Sequence, residues 1–456
     1  MSTDTHSADS RGALLSNEQH PIDKEAVVIT SVSASVMTSV TAATAQPQQR
    51  PEGDCPAVAR SPNVLDRFAD ELGRAGVVGE ERVSKLLFLA VTSRLLDRPV
   101  SVAVKGPSSG GKSYLVKKVL EFFPAHAFYE LSAMSNKALV YSEEPLKHRF
   151  LVVCEAAGMK GEYAEYLIRT LLSEGRLRYE TVEKTPAGLQ PRLIEREGPT
   201  GLIVTTTLVS MHPENEARYL SVTVADTPAQ TQDILRRMAT GESDTSIDVA
   251  PWHEFQRWLE GEVRDVYIPY ADALVDLIPP AAVRLRRDFG TLLTLIHTHA
   301  LIHQAQRSKD NRGRVVAELD DYRIVHELIA DLVAAGVEAT VPATVRETVN
   351  AVEILIGASV QFGQQGVSVT QVADKLGLDK SAGWRRVQVA VERGFLENRQ
   401  VRPNRQAQLT LGDPLPEDRS ILPSVDALGA QWASCTVAGS SEGSSVKRGE
   451  GVASAA

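Results

Sequence analysis

The stretch Gly106-Pro107-Ser108-Ser109-Gly110-Gly111-Lys112-Ser113 constrains this chain more than any other. It fills every fixed position of the pattern G-x-x-x-x-G-K-[ST]. Upstream, Val100-Ser101-Val102-Ala103-Val104-Lys105 reads as a buried strand, and downstream Tyr114 to Phe123 has helical spacing and stops at Pro124. A strand that turns through glycines into a helix aims backbone N–H groups and the positive end of the helix at an anion. In such a loop Lys112 reaches the β- and γ-phosphates of a nucleoside triphosphate, and the Ser113 hydroxyl holds Mg²⁺. Gly106 to Ser113, with Tyr114 opening the helix, are the expected nucleotide contacts, with ATP and Mg²⁺ as cofactors.

Composition narrows the classes that can surround this loop. The 456 residues suffice for two or three domains. A net charge of −9 excludes a polybasic coat for nucleic acid, so any basic surface must be local. Cys55, Cys154 and Cys435 are far apart and form no C-x-x-C pair. That argues against a disulfide framework or a zinc site and fits a reducing cytoplasm. No apolar run is long enough to span a bilayer, and Met1 to Asp23 carries no apolar core of a secretion signal. A cytoplasmic protein without a membrane partner is expected.

Taken in order, residues 1–60 are rich in Ser, Thr, Ala, Gln and Pro and are expected to be a disordered tail. Residues 61–228 alternate helices with short apolar strands: Phe128–Leu131, His148–Glu155, Gly201–Thr207 and Tyr219–Val224 follow the strand before the loop. This pattern predicts an α/β core with a mainly parallel sheet between helices. Residues 229–340 read as all-helical, a lid beside the nucleotide site. Residues 343–412 give a helix, a short strand at Gly366–Val369, helices over Thr370–Leu376 and Lys380–Arg393, and a hairpin from Gly394 to Leu411. That order is a winged helix-turn-helix. Residues 413–456 are Pro-, Ser-, Gly- and Ala-rich and are expected to be a second disordered tail.

Three further positions belong with the phosphate loop. Phe150-Leu151-Val152-Val153-Cys154-Glu155 resembles a Walker B strand that ends Cys-Glu in place of Asp-Glu. By register Glu155 serves the attacking water or the metal, while Cys154 can serve a metal only as thiolate. The next strand ends Thr205-Thr206-Thr207, and Thr206 or Thr207 is the expected polar group that aligns the water. Arg218, just before the last strand, suits an arginine finger on a neighbour's γ-phosphate.

In this order the elements resemble an AAA+ ATPase. Leu167 to Tyr179 looks like the helix that leads into the pre-sensor hairpin of the branch containing MCM helicases, and Arg286-Arg287-Asp288-Phe289-Gly290 is similar to the sensor 2 helix of those proteins. The resemblance implies that Arg287 is the sensor arginine, with Arg284 and Arg286 as competitors. It implies a homo-oligomeric ring, a hexamer, that works on DNA. A hairpin over 176–200 would point into the pore, with Lys184 and Arg192 near its tip. Primases and other replication proteins are the implied partners.

Charge supports DNA as the partner. Between 366 and 412 eight basic residues face four acidic ones, a local surplus within an acidic chain. The third helix of the winged unit would bring Lys380, Ser381, Trp384 and Arg385 to the major groove, and Arg399, Arg402 and Arg405 would meet phosphates. The sequence thus predicts an ATPase acting on DNA, a helicase-like or replication-initiation motor of a mobile element or phage. The alternative is an ATP-switched transcription regulator without helicase activity. A small-molecule kinase would lack the hairpin and the winged unit.

Overall fold

In the computed structural model, residues 55–155, 162–186, 188–208, 216–240, 247–280, 282–360, 366–400, 407–415 and 421–442 are described. The expectation for residues 1–54 lies outside them.

Five strands form the central sheet: β1 (Val102–Lys105), β2 (Phe128–Leu131), β3 (Arg149–Val153), β6 (Thr200–Thr206) and β7 (Leu220–Thr223). They are parallel throughout, in the order β2-β3-β6-β1-β7. Because both faces are covered, the strands are continuous apolar runs without polar alternation. One face carries Val102, Val104, Val152 and Ile203 against α1 (Val64–Arg74), α2 (Glu81–Thr92) and α3 (Lys112–Leu120). The other carries Ala103, Leu151, Val153 and Val204 against α4 (Ala138–Tyr141) and α5 (Glu162–Glu174). All strands point the same way, so the phosphate loop after β1 and the ends of β3 and β6 share one edge of the sheet.

Between α5 and β6 the chain makes a long antiparallel hairpin, β4 (Arg176–Thr185) and β5 (Gly188–Glu197). Its register runs from Arg176↔Glu197 to Thr185↔Gly188. Leu177, Tyr179 and Ile194 turn inward onto the α5 side of the core, and the opposite face leaves Val182 and Leu189 exposed.

After β7 come α6 (Pro228–Thr240), α7 (Ala250–Gly261), α8 (Ala271–Leu277), α9 (Leu285–Ile302) and α10 (Leu319–Glu338). All but α6, which buries no residue, share the core of the α1–α3 face, through residues such as Trp252, Phe255, Leu274, Leu295, Ile296 and Ile329. A short parallel pair, β8 (Val266–Tyr267) with β9 (Val315–Val316), interrupts this helical part. Its two-residue strands are too short to leave a period in the sequence.

A separate small core follows. It joins α11 (Ala343–Val360), α12 (Val369–Lys375), α13 (Lys380–Glu392), β10 (Leu396–Asn398) and β11 (Leu409–Leu411). Gly383 permits the tight crossing of α12 and α13, because a Cβ there would lie 2.5 Å from the Ala373 Cβ. The strand expected at Gly366–Val369 is reduced to one bridge, Val367↔Leu409, because Ser368 already caps α12 with its hydroxyl on the Gln371 N–H.

Two boundaries differ from the sequence reading. Val58 and Ala59 are fully buried, so the folded part starts before residue 61. The segment read as a disordered tail from 413 contains α14 (Val425–Glu442). Ile421, Leu422 and Leu428 are buried in the main core, Tyr322 donates to the Pro423 carbonyl at 2.6 Å, and the Trp432 ring lies 5.9 Å from Tyr270. A few apolar anchors suffice to dock a segment whose average composition is that of a linker.

Among the described residues no single helix is long and apolar enough to cross a membrane.

Candidate nucleotide-binding site

The phosphate loop leaves β1 at Gly106, whose φ of +153° and close approach to Val224 exclude a side chain; a Cβ would lie 2.5 Å from a Val224 methyl. Gly111, at φ +77°, is the N-cap of α3. A left-handed residue at that point turns the chain into the helix without strain only if it is glycine. The Lys112 ammonium donates to the carbonyls of Gly106 at 3.0 Å and Pro107 at 2.6 Å, which holds it over the loop. Ser113 and Tyr114 are exposed on the first turn, and Lys118 lies 5.9 Å from the Tyr114 ring.

The end of β3 supplies the neighbouring group. Glu155 is exposed and takes φ +75°, an uncommon conformation for a residue with a Cβ. Its backbone N–H donates to the Thr205 hydroxyl at 2.9 Å. Thr205 is fully buried, so this bond fixes the backbone from which the carboxylate projects. The sequence favoured Thr206 or Thr207 for a role here. Thr206 is buried and its hydroxyl accepts the Leu208 N–H at 3.1 Å, while Thr207 is exposed. In a run of three threonines residue type alone cannot tell which one faces β3; the pairing Val153↔Val204 decides it.

Cys154 is a neutral thiol. Burial, then the charge of Glu130 and a hydrogen bond to its carboxylate at 3.5 Å, then Glu155, push it up to about 11. The thiolate a metal would require is disfavoured here. Oxygen donors from Ser113 and Glu155 suit Mg²⁺, which keeps much of its water shell.

Glu80 was not singled out in the sequence, where a glutamate before a helix reads as an ordinary cap. It accepts the Ala225 N–H at 2.7 Å and the Gln230 amide at 3.0 Å. It thereby ties the chain leaving β7 to the start of α2, beside Gly106. Desolvation raises its pKa despite these bonds.

The arginines lie elsewhere. A cavity of about 540 Å³ is lined by Arg98, Arg218, Arg286 and Arg287 together with Val100, Ser101, Thr200 and Leu220. Those last four stand at or just before the starts of β1, β6 and β7, so this is the opposite edge of the sheet from the phosphate loop. Arg218 donates to the Ser173 hydroxyl at 3.1 Å. Arg284 is held by Asp288 at 3.0 Å, against Gly336. Arg287 is exposed and sits with Arg218, not beside its own Lys112.

The residues expected to meet DNA are divided. Lys184 is exposed near the hairpin tip. Arg192 is paired with Glu183 at 3.0 Å, which offsets its charge. On α13, Lys380, Ser381, Trp384 and Arg385 form one exposed face, with Trp384 56% accessible rather than in the core. Arg399 is paired with Glu397 at 3.1 Å. Arg402 and Arg405 lie outside the described residues.

Another cavity, of about 700 Å³, has no phosphate-loop residue in its wall. His299 and His303 line it, and with the buried Asp321 they bring three metal-binding side chains together. His303 spends both ring nitrogens on the His299 carbonyl and the Val64 N–H, and Arg307 already neutralises Asp321 at 2.7 Å.

A parallel sheet with a glycine loop opening a helix, a basic residue over that loop and an acid just after β3 define a P-loop nucleotide-binding domain. Residues 59–243 match the family model described as the MTBMA_p00010 P-loop domain. P-loop domains bind nucleoside triphosphates, usually with Mg²⁺, and commonly hydrolyse them. No curated protein matches this chain.

Proposed function

We propose that this chain is an AAA+ ATPase that assembles into a ring and acts on DNA, as a helicase-like or replication-initiation motor of a mobile element or phage. The observation that carries the reading is the placement of Arg218, Arg286 and Arg287 on the sheet edge remote from Lys112. The four residues of β1 alone put about 13 Å between the two edges. An arginine side chain does not bridge that span and still contact a γ-phosphate. These arginines therefore find a nucleotide on a neighbouring copy, and head-to-tail repetition of such a contact closes a ring. Helices α6–α10 form the lid in this reading, and residues 343–412 form a winged helix that presents α13 to DNA.

The ring and the DNA are tested together. ATP hydrolysis should rise with protein concentration and with added DNA, and the mass in solution with ATP should be a multiple of the 49.5 kDa chain. Turnover by a monomer, indifferent to DNA, would reject the proposal.

One observation favours a second reading, an ATP-switched transcription regulator. The neutral Cys154 leaves the metal one carboxylate short, and a slow hydrolase holds its ATP state longer. Cys154→Asp discriminates. A motor limited by hydrolysis displaces strands faster with the added acid. A switch shows tight duplex binding, no strand displacement, and a bound state whose lifetime the substitution shortens.

A further inference from the structure

Aromatic residues make up only 5% of this chain, yet four of its ten tyrosines meet at one exposed place. Tyr141 ends α4, Tyr163 and Tyr166 lie on α5, and Tyr179 lies on β4 at the base of the hairpin. Tyr179 is the centre. The Tyr141 ring meets it edge-on with centroids 6.2 Å apart, and the Tyr141 hydroxyl donates to Thr181 on the same strand at 3.5 Å. The Lys137 ammonium lies 5.8 Å from the Tyr179 ring. Tyr163 and Tyr166 stack at 6.4 Å.

What matters is how little of this is buried. Tyr141 is 49% accessible, Tyr166 54% and Tyr163 37%, and Lys137 is exposed. Folding alone gives no reason to leave three phenol rings in water around an ammonium group. Tyr270 and Tyr322, by contrast, are fully buried and spend their hydroxyls on carbonyls.

We infer that Tyr141, Tyr163 and Tyr166 are a stacking platform for unpaired bases of single-stranded DNA, with Lys137 receiving a backbone phosphate. Flat π faces accept any base, and a cation beside them suits the strand's charge, the pairing used by sequence-independent single-strand binders. Bases in a duplex are already stacked on each other and do not reach such rings. A protein partner would find the same rings, but Lys137 beside the Tyr179 ring favours a polyanion. The inference rests on the proposed action on DNA and adds the strand form and its contacts.

The test uses the full chain, a labelled thirty-nucleotide oligo(dT) and a duplex of equal length. Tyr141→Ala and Tyr166→Ala are each expected to weaken oligo(dT) binding by about 5- to 150-fold. Tyr166→Phe should bind like the wild type, because the ring and not the hydroxyl is used. Lys137→Ala should lower the salt slope for oligo(dT) by about 0.7. Duplex binding, which the proposed function assigns to α13, should be unchanged in all four variants. If the alanine variants bind oligo(dT) as the wild type does, the platform is wrong and the action on DNA stands. Equal losses on duplex and single strand would also overturn the platform, as would a wild-type chain that binds only duplex. If the wild type binds neither form, the action on DNA is wrong as well.

Discussion

The Thr205 hydroxyl accepts the backbone N–H of Glu155 at 2.9 Å. One strand thus holds the end of its neighbour and fixes the backbone that carries the Glu155 carboxylate, on the sheet edge that also carries the phosphate loop. Thr205→Val keeps the shape and removes the acceptor, leaving the Glu155 N–H without its partner. Hydrolysis should fall about tenfold, a loss of the size expected for one misplaced hydrogen bond, while nucleotide affinity stays near the wild type. Thr207→Val, at an exposed position, should change neither. Steady-state turnover and nucleotide titration of both variants check this.

Cys154 should titrate late. With its thiol pushed up to about 11, the neutral form dominates at pH 8 and the thiolate fraction is about one in a thousand. Alkylation by iodoacetamide, followed by mass spectrometry, should therefore quicken about tenfold for each unit between pH 8 and pH 10. A rate that levels off below pH 9 would mean that the thiol ionises easily and remains available to a metal.

Gly383 sets the spacing of α12 and α13. A methyl group there would press on Ala373 at 2.5 Å. Gly383→Ala should destabilise the small C-terminal core by about 1–3 kcal/mol, the usual cost of overpacking. Because that core is separate from the one around the sheet, duplex binding should weaken while hydrolysis without DNA is unchanged. Differential scanning calorimetry and DNA titration together measure both effects.

The phosphate loop was legible because its chemistry is local: eight consecutive residues between one strand and one helix. The strands of the sheet were legible for a related reason, since burial on both faces makes them apolar throughout. Thr205 was not, because its role depends on the register between two strands that are about fifty residues apart. Arg287 was legible as a candidate but not its location, which the packing of α9 against α2 and α10 determines. The anchors Ile421, Leu422 and Leu428 were hidden by the Ser, Gly and Ala around them.

The central claim is that each nucleotide site joins Lys112 of one chain to Arg218 of the next. Mixing two inactive variants tests it most directly. Lys112→Ala should abolish nucleotide binding, and Arg218→Ala should bind nucleotide but hydrolyse it at least about a thousandfold more slowly. Mixed in equal amounts and allowed to assemble, they place an intact lysine beside an intact arginine in about a quarter of the junctions of a head-to-tail ring. Hydrolysis should recover toward that fraction of the wild-type rate. If the mixture stays as inactive as its components, although mass measurement shows that they co-assemble, the shared site is contradicted.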